Sequence, residues 1–348
     1  NTPTKFKAVD SSNLYIGSSE ENGTFVLRLN QGINLDNDEF KGFSLYDRAK
    51  ISLSSPKNKY WLEDIKYISE KGFENSSVGL ATVKKTDGIY LKPQKLNYCF
   101  DFSYLSRNKD SVAIRAGLIS ATQILIQRAA LELDIAPEEF EQIEPKLIES
   151  IPVLQICDQL ANGAGFSQKL SEIIEGTGSP LILKLIKSIL SDYHDPLGMK
   201  LSTEVHKASC LGACYKCIQR YGNRTYHGLL DWRLGLSYLR LLYDPNYKCG
   251  LDGNFNFIEL ESWHKQVQES LMNVKMLKPS VYALPEFKEI NGLKLGVIHN
   301  KKIGKKYYVI HPFWSKIYME KLLGLSIDSA DSKLINSFEV LHMPQNIF

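Results

Sequence analysis

Cys210-Leu211-Gly212-Ala213-Cys214-Tyr215-Lys216-Cys217 places three thiols in eight residues as C-x3-C-x2-C, and His227 follows ten residues later. A tetrahedral zinc ion takes four nitrogen or sulfur ligands. A C-x2-C pair lets one tight turn present two thiolates to the same metal while backbone N–H groups point at the sulfurs. Gly212 and Gly222 permit bends on either side. His227, as a neutral imidazole, would close a Cys3His set; Cys249 and His206 are the alternatives for the fourth position. Four protein ligands leave no open coordination position, so the ion is expected to be structural zinc rather than a catalytic metal. The chain's six cysteines are too few for a disulfide scaffold, and their crowding favours metal in a reducing cytoplasm.

Outward from the cluster, the text changes character twice. Before it, Asp110–Leu133 repeats apolar residues at helical spacing (Val112, Leu118, Ile119, Ala121, Leu125, Ile126, Ala129), which predicts a long buried helix. Further helices are expected at Pro180–Ser191, Leu229–Leu242, Phe257–Met272 and Trp314–Leu323. Ile151–Cys157 reads as a strand leading into the Gly-rich turn Asn162-Gly163-Ala164-Gly165, and Leu293–His299 with Tyr307–His311 as a hairpin. The first hundred residues carry short apolar runs, Thr24–Leu29, Val78–Val83 and Asn97–Phe100, between turn formers such as Ser54-Ser55-Pro56 and Thr86-Asp87-Gly88. The expected class is therefore α+β in three parts: a β-rich domain over 1–108, a helical zinc-binding domain over 109–250, and a small α/β domain over 251–348.

With 43% apolar and 23% charged residues, the composition excludes disorder as the main state. The 42 Lys and Arg against 39 Asp and Glu give a net charge of +3, which permits nucleic-acid contact without arguing for it. No run approaches the roughly 18 uninterrupted apolar residues of a membrane span. Asn1-Thr2-Pro3-Thr4-Lys5 shows no basic-then-apolar signal pattern, and a cytoplasmic location is expected. The chain begins on Asn1 without an initiator methionine, as a portion of something longer would.

The stretch Cys210-x3-Cys214-x2-Cys217, Tyr221-Gly222-Asn223, His227-Gly228-Leu229-Leu230, Asp231-Trp232-Arg233-Leu234 resembles the MrfA-type zinc-binding domain (MZB), a C-terminal module of bacterial DExH helicases. Its variety is similar to that of DrmB in the DISARM phage-defence system and of the large Druantia helicase, in which the zinc signature runs into H-G-L-L-D-W-R-L. Helicase versions often carry a fourth cysteine where His227 stands here. The helix end Ala130–Ile135, the turn at Asn162–Gly165 and Tyr308–Trp314 resemble further parts of the family. The resemblance is best over 110–245 and weak in the first hundred residues. It implies structural zinc, a DExH motor domain or subunit as partner, DNA contact within that complex, and a role in antiviral defence.

No nucleotide loop of the G-x4-G-K-[ST] kind is present; Gly304-Lys305-Lys306 lacks the upstream glycine and the hydroxyl residue. The chain alone is expected not to hydrolyse ATP. Lys216, Arg220 and Arg224, interleaved with Tyr215, Tyr221 and Tyr226, are the candidate DNA contacts, since charge follows phosphates and rings stack on bases. Arg233 and Arg240 read as internal docking residues, with Trp232 packed against the zinc module. His299-x-Lys301 and Glu286-x-Lys288 resemble fragments of nuclease motifs and read as hairpin polarity and chance pairing. Asn162–Gly165 could offer amides to a phosphate or serve as a packing turn. The expected function is an accessory, non-motor part of an ATP-dependent DNA helicase or translocase. The alternatives are a zinc-containing scaffold that recruits a nuclease or methylase without touching DNA, and a nuclease domain in the last hundred residues.

Overall fold

A computed structural model describes residues 5–18, 23–30, 43–44, 77–78, 80–106, 112–192, 194–324 and 331–347. Its contacts divide the chain into two units, one over 24–86 and one made of 2–23 with 87–348. In the first, Thr24–Asn30 pairs antiparallel with Leu80–Thr86 in unbroken register, and Phe43–Ser44 pairs with Ser77–Val78. The turn expected at 54–56 lies outside the described residues.

In the second unit, five antiparallel strands form one sheet in the order Lys7–Val9, Leu14–Ser18, Gly88–Pro93, Ile151–Asp158, Phe140–Ile148. Alternation along the strands sends Leu14, Ile16, Ile89, Leu91, Leu154 and Ile156 into the core. The long helix, Val112–Leu133, lies against the two strands Phe140–Ile148 and Ile151–Asp158. Its other sides are covered by the helices Leu181–Ser191 and Trp232–Tyr243. Hence its apolar residues run all round and most of it is buried. A Cβ on Gly235 would sit 2.9 Å from the carbonyl carbon of Ser120 and 3.0 Å from the amide nitrogen of Ala121. Glycine there lets the Trp232–Tyr243 helix rest on the backbone of the long one. Ser120 Oγ, accepting from Asp231 N at 2.7 Å, pins the start of that helix to the same place.

The second sheet runs Glu286–Ile290, Leu293–Asn300, Lys305–Ile310, Ser332–Asn336, antiparallel except for its last, parallel pair. The helix Trp263–Leu277 packs on it. Both sheets belong to one compact unit. Asp101 N donates to Phe313 O at 3.1 Å and Ser315 N to Cys99 O at 2.7 Å, while Trp314 Nε1 donates to Cys249 O at 3.2 Å.

The α+β class is as expected, but two details differ. Asn97–Phe100 is a turn closed on Asn97 (Phe100 N to Asn97 O, 3.0 Å), with a single bridge from Phe100 to Trp314. The helix expected from Phe257 begins at Trp263. Upstream of it the chain runs in turns (Leu260 N to Phe257 O at 2.8 Å, Trp263 N to Leu260 O at 2.9 Å), where the fully buried Glu259 carboxylate is bound by Arg240 at 2.5 and 3.0 Å and by Tyr247 Oη at 2.9 Å. Among the described residues no helix is long and apolar enough to cross a membrane.

Candidate metal centre

Two short capped helices lead into the cysteine cluster. Asp195 caps Pro196–Ser202 by accepting from Leu197 N and Gly198 N at 3.0 and 2.8 Å. Thr203 Oγ1 caps Glu204–Ser209 by accepting from His206 N at 3.3 Å. The second helix ends with Cys210 N donating to His206 O at 2.9 Å. His206 and Cys210, four residues apart, therefore share one helical face. The chain then turns, with Trp232 N returning to Gly212 O at 2.9 Å. Cys214–Cys217 forms the tight turn expected of C-x2-C: Cys217 N donates to Cys214 O at 3.0 Å and Cys214 N to Cys217 Sγ at 3.1 Å.

This places one ligand atom each from His206, Cys210, Cys214 and Cys217 within 4.8 Å of one another. Cys217 Sγ lies 3.9 Å from Cys210 Sγ and 3.7 Å from Cys214 Sγ. Thiolates about 2.3 Å from a shared tetrahedral ion would stand about 3.8 Å apart. Only Cys214 is partly exposed; the other three residues are buried. His206 Nδ1 is 3.3 Å from Leu201 O, which makes Nδ1 the protonated nitrogen and turns the lone pair of Nε2 inward. That Nε2 is buried and has no hydrogen-bond partner. A ring nitrogen fixed by a carbonyl on one side and bare on the other is how metal-binding histidines are held. The Cys210 thiol, hydrogen-bonded to Cys217 and desolvated, is pushed well above the usual thiol range. The same contact, together with backbone donors, holds Cys217 down to about 5. The donor set fits zinc, and with four protein ligands it would be a closed, structural site.

The fourth group in the structure is His206, where the sequence reading favoured His227. After Cys217 the chain enters the 3-10 helix Tyr221–Tyr226, and His227 at its end directs Nε2 to Arg220 O (2.9 Å) and Asn223 Oδ1 (3.1 Å). Its ring packs edge-on against Tyr215. Cys249 is fully buried, with burial pushing its thiol up, and is not among the gathered groups.

Of the candidate DNA contacts, Lys216 and Arg224 are exposed; Arg224 Nη1 donates to Tyr221 Oη at 3.1 Å, its guanidinium 5.1 Å from that ring. Arg220 is engaged internally, donating to Glu138 Oε1 at 3.0 Å and Gln123 Oε1 at 2.9 Å. The Gly-rich turn is also internal. Asn162 and Gly163 adopt left-handed φ of 68° and 79°, and the amides of Ala164, Phe166 and Ser167 all donate to the buried Asp158 carboxylate at 2.7 to 3.1 Å. Glu286 pairs with Lys288 at 3.1 Å on an outer strand, and His299 sits opposite Lys306 in the hairpin.

No family model matches the chain, and no curated protein matches it. Among solved structures, a crystal structure of the DUF1998 helicase MrfA bound to DNA shows a distant likeness. Identity is 12%, the TM-score is 0.32, and the match covers 64% of this chain. The chain spans 22% of that helicase's length.

Proposed function

We propose that this chain is a non-motor part of an ATP-dependent DNA helicase or translocase acting in antiphage defence, and that its zinc module is a rigid platform that docks on the motor and shapes the DNA path. The observation that carries the reading is the closed His206, Cys210, Cys214, Cys217 cluster, lying in the segment whose residues resemble the MZB signature. A four-ligand site does no chemistry of its own; it stiffens the surface it carries. That surface presents Tyr215 and Tyr221, 69% and 77% exposed, beside Lys216 and Arg224, a combination suited to stacking on unpaired bases and pairing with phosphates. The motor is a DExH domain or subunit, and zinc is the cofactor.

The test is single-stranded DNA binding by the whole chain over a series of salt concentrations. Replacing Lys216 and Arg224 by Ala should weaken binding and flatten the salt dependence by about one to two phosphate contacts. No DNA affinity, or a slope unaffected by the substitutions, would overturn DNA contact by this chain. It would favour the scaffold reading instead, which has the internal pairing of Arg220 and the exposed Val205 and Leu211 in its favour.

A further inference from the structure

Trp232 and Arg233, at the start of the Trp232–Tyr243 helix, pack against the segment that carries the cluster. Arg233 is 5% exposed. Its Nη1 donates to Cys210 O at 2.8 Å and Leu211 O at 3.1 Å, and its Nη2 to Lys207 O at 2.8 Å. These three carbonyls belong to the turn between His206 and Cys214. With the Gln266 amide turned so that its oxygen faces the guanidinium, Oε1 accepts from Nη2 and Nη1 at 3.0 and 3.2 Å. The guanidinium stands 4.2 Å from the Trp232 ring, and that ring packs 5.4 Å from the imidazole of His206.

Arg240, two turns further along, is buried against a carboxylate, Glu259. Arg233 has carbonyls and an aromatic face in that place; among the described residues no carboxylate pairs with its side chain. Asp231 and Glu261 act on it through space, without a hydrogen bond to the guanidinium, and a buried cation so held is only partly compensated. Three thiolates and one neutral imidazole around a divalent ion would carry a net charge of −1, in the segment that offers those carbonyls.

We infer that Arg233 is the positioning residue of the metal centre: it clamps the His206–Cys214 turn into ligand geometry and supplies the counter-charge to the loaded thiolate cluster. The inference rests on the metal reading above and names the group that sets the strength of binding. The planar fork of arginine reaches several carbonyls at once; a lysine ammonium would keep the charge and lose the clamp.

The experiment measures zinc affinity by competition with a chromophoric chelator on the whole chain as wild type, Arg233→Gln, Arg233→Lys and, as a control for general destabilisation, Arg240→Lys. Cobalt substitution reports ligand geometry through its thiolate-to-metal bands. Arg233→Gln should still bind one metal with thiolate bands, but about 10- to 100-fold more weakly. Arg233→Lys should recover part of that loss, and Arg240→Lys should bind as wild type does. If Arg233→Gln does not fold, the Lys variant decides. Wild-type affinity in whichever Arg233 variant folds, or an equal loss in Arg240→Lys, would overturn the role of Arg233 while leaving the metal site standing. A wild-type chain that takes up no zinc would overturn both.

Discussion

Two loops of this chain fold polar groups around a point, and they differ in what occupies it. In the turn after Ile151–Asp158, three backbone amides and the Ser167 hydroxyl converge on the Asp158 carboxylate; the chain supplies its own anion, and nothing is left for a ligand. In the loop after Glu204–Ser209, three sulfurs in weak contact with one another and the bare Nε2 of His206 converge with no charged group of the chain between them. Both stretches read from sequence as possible ligand sites, one for phosphate and one for metal. Convergence alone does not separate them. What separates them is whether the chain already supplies the charged group on which the atoms converge.

That contrast is broken most forcefully at the cysteines. Cys217→Ser should lower zinc content from about one per chain to none, by elemental analysis. A structural zinc contributes on the order of 10 kcal/mol to its module, as much as the whole stability of a typical domain. The segment around 204–231 should therefore become open to protease, and a metal-free variant as resistant as wild type would refute this. Asp158→Ala acts on the other loop. Three amides lose their acceptor, and at about 1–3 kcal/mol for each buried unsatisfied group the urea midpoint should fall by the equivalent of about 4 kcal/mol. Zinc content should stay unchanged.

A third imidazole sharpens the difference. His311 is buried with Nδ1 accepting from Phe313 N at 3.2 Å, and burial, opposed weakly by Asp231, pushes it down to about 3. Its folded pKa lies below the unfolded value near 6.5, so the unfolded chain binds the proton more tightly. Its contribution is whole above about pH 6.5 and declines as pH falls towards 3. From pH 8 to pH 5 the wild type should lose about 2 kcal/mol more than His311→Asn, read from denaturation at the two pH values. The smallest effect belongs to His227→Ala. It should cost about 1 kcal/mol through its hydrogen bonds to Arg220 and Asn223, with zinc retained. Loss of metal in this variant would return the fourth position to His227.

The cysteine spacing was legible because C-x2-C is a local device: four residues make their own turn. The histidine was less so. His206 reaches the cluster only because Glu204–Ser209 is helical and ends at Cys210; the Thr203 cap and the four-residue spacing were the available signals, and the H-G-L-L-D-W-R-L resemblance drew the choice to His227. Helices with long apolar periodicity, such as Val112–Leu133, could be read to the residue at the C-terminal end. Compact units could not, because Gly88–Pro93 finds its partner in Ile151–Asp158, some sixty residues away, and Cys99 finds Ser315. Such non-local pairings leave no mark on composition. The pairing of Glu259 with Arg240, just before the Trp263 start, was hidden for a similar reason.

X-ray absorption at the zinc edge, on wild type, His206→Ala and His227→Ala, measures the metal's neighbours directly. Wild type and His227→Ala should both show three sulfurs at about 2.3 Å and one nitrogen at about 2.0 Å, while His206→Ala loses the nitrogen. Folded wild-type protein that holds no metal, or a nitrogen that disappears with His227 and persists without His206, would contradict the site described here.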